Sequence, residues 1–409
     1  MGIRPVTPDQ VNWFLLSKQH LAPETRGDDV VQVVEDICAL HATSALTPYL
    51  SLWSRVKGFS RQQLDAELYE NRRLVRVISM RRTLHIVPSE KLPVFFQATK
   101  KQVQRHFPRQ ARGLLVQAGL CKEGEEAEAL ERLHQRIAEI LADRGPSTVS
   151  EMSELVPELK IKVKYNVDKP YAGEFSLGSR IVPGMCILGL LVRAKPRGSW
   201  RSTLHEYAPL AVWLPDVDLE SLTPDEAQAR LVRSYLAALG PATLEDIAWW
   251  SGFSKEETRR ALSALDDEIV ETEIEGLGGG YLMLATDHQQ LQETQLGPEP
   301  TVNLLPSPDP YLMGYRDRRR FLAPEHYEKV FDRAGNAFAT VWVNGRAVGV
   351  WRELEAAIEL LLWQDVENEA LMTEAQRLGR FLSGEDVEVV VKPYPPGTYV
   401  KNPFTLAKR

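Results

Sequence analysis

His41-Ala42-Thr43 sets an imidazole and a hydroxyl two residues apart, directly after an apolar-periodic stretch. On an α-helix, residues i and i+2 point roughly 200° apart and cannot share a substrate. In an extended segment they lie on one side. A helix ending at about Leu40 therefore lets both side chains face one cleft. An unperturbed imidazole, with a pKa of about 6.5, is mostly neutral at pH 7 and can take a proton from water. The hydroxyl can only orient that water. The same spacing also fits a plainer role, a polar helix terminus at which His41 complements the helix dipole. Spacing alone leaves both open.

Other polar residues carry weaker signals. His85 and His205 sit in alternating, strand-like stretches with apolar neighbours and read as structural histidines. Asp309, Tyr311, Tyr315 and Asp317 cluster in a loop broken by Pro306, Pro308 and Pro310. Carboxylates beside several arginines more often buttress than catalyse, yet loops on a rigid scaffold are where sites concentrate. His85, Asp309, Tyr311 and Tyr315 are therefore candidates to support a cleft. The 8 histidines are scattered, and Cys38, Cys121 and Cys186 are far apart. No zinc-type spacing appears, so no metal and no cofactor is expected. Gly276–Gly280 lies between two strand patterns and reads as a hairpin tip, not a phosphate cradle.

Cations gather in three places. Lys100, Lys101, Arg105, Arg109 and Arg112 recur over about three helical turns. Arg72, Arg73, Arg76, Arg81 and Arg82 surround a hairpin pattern. Arg316, Arg318, Arg319 and Arg320 follow the Pro-rich loop. Such groups neutralise phosphates and release counterions, but each patch alone also fits solvated surface charge. The whole chain of 409 residues is acidic, at a formal net charge of −7. Any nucleic-acid contact must come from local patches inside an acidic shell. No apolar run approaches the ~18 residues of a membrane span. Three dispersed cysteines and no secretory pattern suit a reducing cytoplasm.

The elements that must position these groups follow a recurring order. Thr7 and Asp28 or Asp29 can cap two helices, the second with Val30, Val31, Val34, Ile37 and Cys38 at helical spacing. A third begins near Ser60. The period then falls to two over Leu74–Met80 and Thr83–Val87, around Arg81-Arg82. Helices followed by a hairpin is the order of a winged helix. It returns after helix Glu125–Leu141, with helix Ser150–Leu155 and a turn at Lys195–Gly198. It returns again with helices Pro224–Leu239, Leu244–Trp250 and Lys255–Leu265 and strands Glu268–Ile274 and Tyr281–Thr286. Two echoes support a repeat: Gly145-Pro-Ser-Thr148 with Gly240-Pro-Ala-Thr243, and Thr83-Leu-His85 with Thr203-Leu-His205. In the first, the Gly ends one helix and the Thr caps the next. From about Leu304 the texture changes to a separate α+β or barrel-like domain. There, Phe338–Val343 and Ala347–Trp351 flank the hairpin signal Asn344-Gly345, Glu353–Leu382 reads as a helix broken near Asp365, and Val387–Val391 is a last strand.

Over nearly its whole length the chain resembles the AlkZ-like, or YcaQ-like, winged-helix DNA glycosylases. The resemblance rests on Leu40-His-Ala-Thr43 with Leu52-Trp-Ser-Arg55, on Arg73-Leu-Val-Arg76, and on Met80-Arg-Arg-Thr-Leu-His85. It extends to Leu304-Leu-Pro-Ser-Pro-Asp-Pro-Tyr-Leu-Met-Gly-Tyr-Arg-Asp-Arg318 and Val341–Trp351. It implies an α+β chain of three tandem winged helices (1–120, 121–215 and 216–295) with a C-terminal β-rich domain (296–409), arranged as a C-shaped cradle. It also implies a monomer on double-stranded DNA that hydrolyses the N-glycosidic bond of bulky or crosslinked N7-alkylated purines without a metal. Arg55, Arg76, Arg81, Arg82, Lys100, Lys101, Arg105, Arg316, Arg318 and Arg319 are then the candidate DNA contacts. The family motif is Gln–apolar–Gln or Gln–apolar–Asp; this chain has His41-Ala42-Thr43 in that place. A glycosylase using His41 and Thr43, a non-catalytic DNA-binding regulator and a protein-interaction scaffold are the readings that follow.

Overall fold

The computed structural model describes residues 5–165, 173–297, 300–366 and 368–396. Helices and strands are mixed, and the chain packs as two units. One comprises residues 1–63 and 229–409, the other residues 64–228. Among the described residues no helix is long and apolar enough to cross a membrane.

The first unit opens with helix Pro8–Lys18, whose N-cap Thr7 accepts from the backbone N–H of Gln10. Helix Val30–Asp36 is capped by Asp29, whose carboxylate takes the N–H groups of Val31 and Gln32. Helices Leu244–Ser251 and Lys255–Ser263 follow later in the chain, then the antiparallel hairpin Ile269–Ile274 with Gly278–Leu284. This is the helix–helix–hairpin order expected for a winged helix. The C-terminal segment forms an open five-stranded sheet of Val302–Leu305, Thr340–Val343, Arg346–Glu353, Ala357–Leu362 and Glu388–Pro393, in that order. Only the last pair is parallel. Two expectations need correction here. The sheet does not close into a barrel, and the segment packs in one unit with the N-terminal helices instead of standing apart. The stretch Glu353–Leu382 is not one broken helix either. Ala357–Leu362 is a strand buried along most of its length, and the helix is Asn368–Ser383. A short run such as Ile358-Glu-Leu-Leu-Leu362 fits either period, and the neighbouring strands decide it.

One polar clamp ties the N-terminal helices to the sheet. Helix Thr47–Trp53 is buried at every residue. Thr47 Oγ1 donates to the carbonyl of Ser307 at 2.5 Å, and Ser54 Oγ to that of Leu304 at 3.4 Å. Just past the helix, Arg55 grips Asp309 with two parallel bonds, Nη1 to Oδ2 at 2.9 Å and Nη2 to Oδ1 at 2.8 Å. Neither side chain has any exposed surface. Asp309 Oδ1 also accepts the backbone N–H of Tyr311, and Arg55 Nη1 also donates to the Ser51 carbonyl. A charge pair this deep is stable only because most of its hydrogen-bonding groups are met: both Asp309 oxygens and both Arg55 terminal nitrogens have partners, while Arg55 Nε has none among the described residues.

The second unit repeats the winged-helix order. Helices Glu126–Arg144 and Val149–Leu155 precede hairpin strands Leu191–Pro196 and His205–Pro209. The apolar stretch from Cys186 to Val192 combines a helix end, a turn and the start of strand Leu191–Pro196. It begins as the end of helix Gly178–Ile187 and turns at Gly189. The echoed turns play identical parts. Thr148 forms a capping box with Glu151, as Thr243 does with Asp246 in the first unit. The residue before each Thr bridges its own hairpin: Ser147 pairs with Tyr207, and Ala242 with Leu282. The repeat is thus one of topology as well as of sequence.

His134 lies in the core of this unit, and its Nε2 has no partner among the described residues. Burial lowers its pKa to about 4. The imidazole is therefore neutral when folded and free to protonate when unfolded. Stability is full above about pH 6.5 and falls as the pH drops from there towards about 4. His134→Leu should flatten this acid limb in urea unfolding curves recorded across that range; an unchanged pH slope would show that His134 does not cause it. For the clamp, Asp309→Asn should cost about 3–5 kcal/mol by leaving Arg55 charged and unpaired. Arg55→Met with Asp309→Leu should cost less than that single change. Denaturation midpoints within experimental error of wild type for Asp309→Asn would show that the pair does not hold the unit.

Candidate active site and nucleic-acid interface

The His41 segment is extended because the preceding helix stops early. Helix Val30–Asp36 ends at Ile37, and Cys38 takes a left-handed conformation, φ 70°. The chain then runs extended through Leu40–His41 and bends from Thr43 into helix Thr47–Trp53. Exposure alternates along it. Leu40 and Ala42 are buried, His41 is half-buried and Thr43 is exposed. His41 and Thr43 therefore share the outward side of the segment. The helix-terminus role for His41 does not hold, since the helix has already closed at Ile37. The clamp through Thr47, Ser51 and Arg55 begins four residues beyond Thr43, so this segment leads directly into rigid structure.

The Pro-rich loop is built inward. Asp309, Tyr311 and Tyr315 are all buried. Tyr315 donates its hydroxyl to the Leu239 carbonyl at 2.6 Å, and Tyr235 donates to the Gly314 carbonyl at 2.8 Å. A Cβ at Gly314 would stand 2.9 Å from the Leu239 methyl groups, which would have to shift to admit it. Burial pushes the Tyr315 phenol well above its ordinary pKa. These residues are buried and hold the loop from within. Asp246 is the group the sequence reading missed. Its Oδ2 closes the Thr243 capping box, while its Oδ1 accepts the N–H groups of Arg316 at 2.8 Å and Asp317 at 3.0 Å. The Thr-x-x-Asp box was legible; the second oxygen's partners, 70 residues away, were not.

The expected cations divide sharply. Arg55 is fully buried on Asp309 and cannot touch DNA. Arg318 is also buried, with its guanidinium 4.9 Å from the Trp249 ring centroid and 4.3 Å from that of Phe331. Arg76 is buried and donates to the Tyr69 hydroxyl at 2.6 Å. All three are corrections: desolvated guanidinium groups find carboxylates, ring faces and hydroxyls inside the protein and have no reach to a phosphate. Arg319 is exposed but forked onto Asp317, and Lys100 pairs with Glu220 at 2.8 Å. Arg81, Arg82, Lys101, Arg105 and Arg316 point out as exposed cations. Arg105 shares a groove with Arg109, Arg112 and Glu126.

His85 is buried, with Nδ1 3.1 Å from the Thr83 carbonyl, and is a structural histidine. His205 has Nδ1 3.3 Å from the Ala194 carbonyl. Burial, with Arg76 and Arg193 nearby, lowers its pKa to about 4, so it stays neutral. No group of three or more His, Cys, Asp or Glu placed to hold a metal occurs among the described residues.

This arrangement has known counterparts. The family model described as DNA glycosylase AlkZ-like matches residues 34–381. The interstrand DNA cross-link repair glycosylase of Streptomyces sahachiroi is 27% identical over 385 residues, spanning 91% of this chain and 95% of that protein. The solved structure of the Streptomyces sahachiroi DNA glycosylase AlkZ superposes with a TM-score of 0.71 at 23% identity, covering 95% of this chain and 100% of that one. The matched span takes in the extended His41 segment, the clamp, both capping-box echoes and most of the sheet, and on it the chain belongs to the AlkZ-like DNA glycosylase family.

Proposed function

We propose that this protein is a monomeric DNA glycosylase of the cytoplasm that hydrolyses the N-glycosidic bond of bulky or crosslinked N7-alkylated purines in double-stranded DNA. The observation that carries the proposal is the His41-Ala42-Thr43 segment: extended, with His41 and Thr43 on its outward side, and followed at once by the buried clamp. The Streptomyces sahachiroi relative, an interstrand DNA cross-link repair glycosylase, supports the crosslink part of this reading. Cys38 is buried and no disulfide occurs among the described residues, which suits a reducing compartment.

Alkylation at N7 makes the purine cationic. When the glycosidic bond breaks, its electron pair leaves with the base and neutralises that charge. The sugar is left with oxocarbenium character, which the enzyme must stabilise and present to water. The water oxygen bonds to C1′ and its proton passes to the neutral imidazole of His41, while the Thr43 hydroxyl orients the water. No Lewis acid is needed because the leaving group already carries its own activation. Arg105 and Lys101 in one unit and Arg316 in the other are among the exposed cations suited to phosphates, and Lys100 and Arg319 can join them on exchanging their carboxylate partners.

A second reading, duplex binding without catalysis, draws on the absence of the family's Gln residues at positions 41 and 43. Release of N7-alkylguanine from duplex DNA separates the two. Wild type should release the base. His41→Ala should slow single-turnover release by about 10²–10⁴-fold at unchanged duplex affinity, the usual span for a general base. Thr43→Ala should slow it less, and Thr43→Ser should restore it. Full activity in both alanine variants would remove these residues from the mechanism, and binding without release from any N7 adduct would establish the second reading.

A further inference from the structure

The turn joining strands Leu74–Ile78 and Leu84–Pro88 is made of the wrong residues for its shape. Arg81 has φ 53° and ψ 22°, and Arg82 has φ 61°. The N–H of Thr83 donates to the Met80 carbonyl across them. Both central residues are thus left-handed, as in a type I′ turn, which favours Asn-Gly because a Cβ crowds the backbone there. The protein itself supplies the comparison. The turn between Thr340–Val343 and Arg346–Glu353 uses Asn344 and Gly345, at φ 50° and 74°. Nothing about hairpin geometry requires arginine.

The turn is also held in place on purpose-built anchors. Met80 is buried, and Ser79 Oγ donates to the Phe95 carbonyl at 3.1 Å. Thr83 Oγ1 caps the Met80 carbonyl at 2.9 Å. With both flanks fixed, Arg81 and Arg82 are neighbouring exposed residues on the turn, the Arg81 guanidinium partly shielded by the protein. Strained residues kept by a surrounding frame mark functional positions. Adjacent exposed guanidinium groups on a rigid hairpin suit a run of phosphodiesters, since each fork matches a phosphate.

We infer that the Arg81–Arg82 turn is a contact for the duplex phosphate backbone whose residue types are retained at the expense of folding stability. This rests on the proposed action on double-stranded DNA. The test is Arg81→Asn with Arg82→Gly, compared with Arg81→Lys with Arg82→Lys, in the full chain. Binding of a labelled unmodified duplex and thermal unfolding are measured across a salt series. The Asn-Gly variant should unfold at a temperature several degrees higher and bind at least tenfold more weakly. Its slope of log affinity against log salt should shrink by about 1.8, two contacts' worth. The lysine variant should keep the wild-type slope and show no gain in stability. An Asn-Gly variant with wild-type affinity and slope overturns the contact, and one with no rise in unfolding temperature overturns the claim of strain. Failure of the wild type itself to bind duplex at low salt overturns both this inference and the proposed function.

Discussion

The buried pair Arg55–Asp309 is the constraint around which the larger unit is arranged. Two charges with no exposed surface have to satisfy each other, and the neighbouring Ser51 and Tyr311 add hydrogen bonds to the pair. The pair links residues 254 positions apart, so it cannot form until the N-terminal helices and the Pro-rich loop have met. Once it forms, the far end of helix Thr47–Trp53 is fixed, and the Thr47–Ser307 bond holds the entry where the His41 segment leads in. A hydrophobic contact would bury comparable surface but would tolerate sliding. The two-pronged bond does not, because its fork accepts one register.

The same logic explains why several arginines near the Pro-rich loop and the first hairpin are committed to partners within the protein. Arg318 rests against Trp249 and Phe331, and Arg320 donates to Tyr311 and Asn12. Arg319 is forked onto Asp317 and Arg73 onto Glu67. In an acidic chain, carboxylates are plentiful partners, and each one taken removes a cation from the pool that can meet a phosphate. The cations that stay exposed are spread over turns and helix surfaces, many of them beside carboxylates. A few local patches, and not bulk charge, then set where a polyanion can settle.

Much of the fold was legible because local chemistry and tertiary structure agree. The caps at Thr7, Asp29, Thr148, Thr243 and Ser254 all form as their residue types suggest. The Gly-Pro-x-Thr echoes mark equivalent joints, and each joint also bridges its own hairpin. Errors fell where two periods fit one short apolar run, as at Ala357–Leu362, or where one residue ends a helix without announcing it. Cys38 is such a residue. A left-handed cysteine has no sequence signature, and the packing around it makes the conformation tolerable.

The candidate site shows the division most clearly. Residue types alone determined that an imidazole and a hydroxyl stand two apart, that arginines cluster, and that helices followed by hairpins recur, because these depend on spacing, capping and period. Tertiary structure alone decided which of those groups reach solvent. Arg55 and Arg81 read alike as basic residues near a motif, yet one is sealed in a salt bridge and the other stands out on a strained turn. Burial is set by partners hundreds of residues away, and a carboxylate such as Asp309 claims its arginine only after the chain has folded back upon itself.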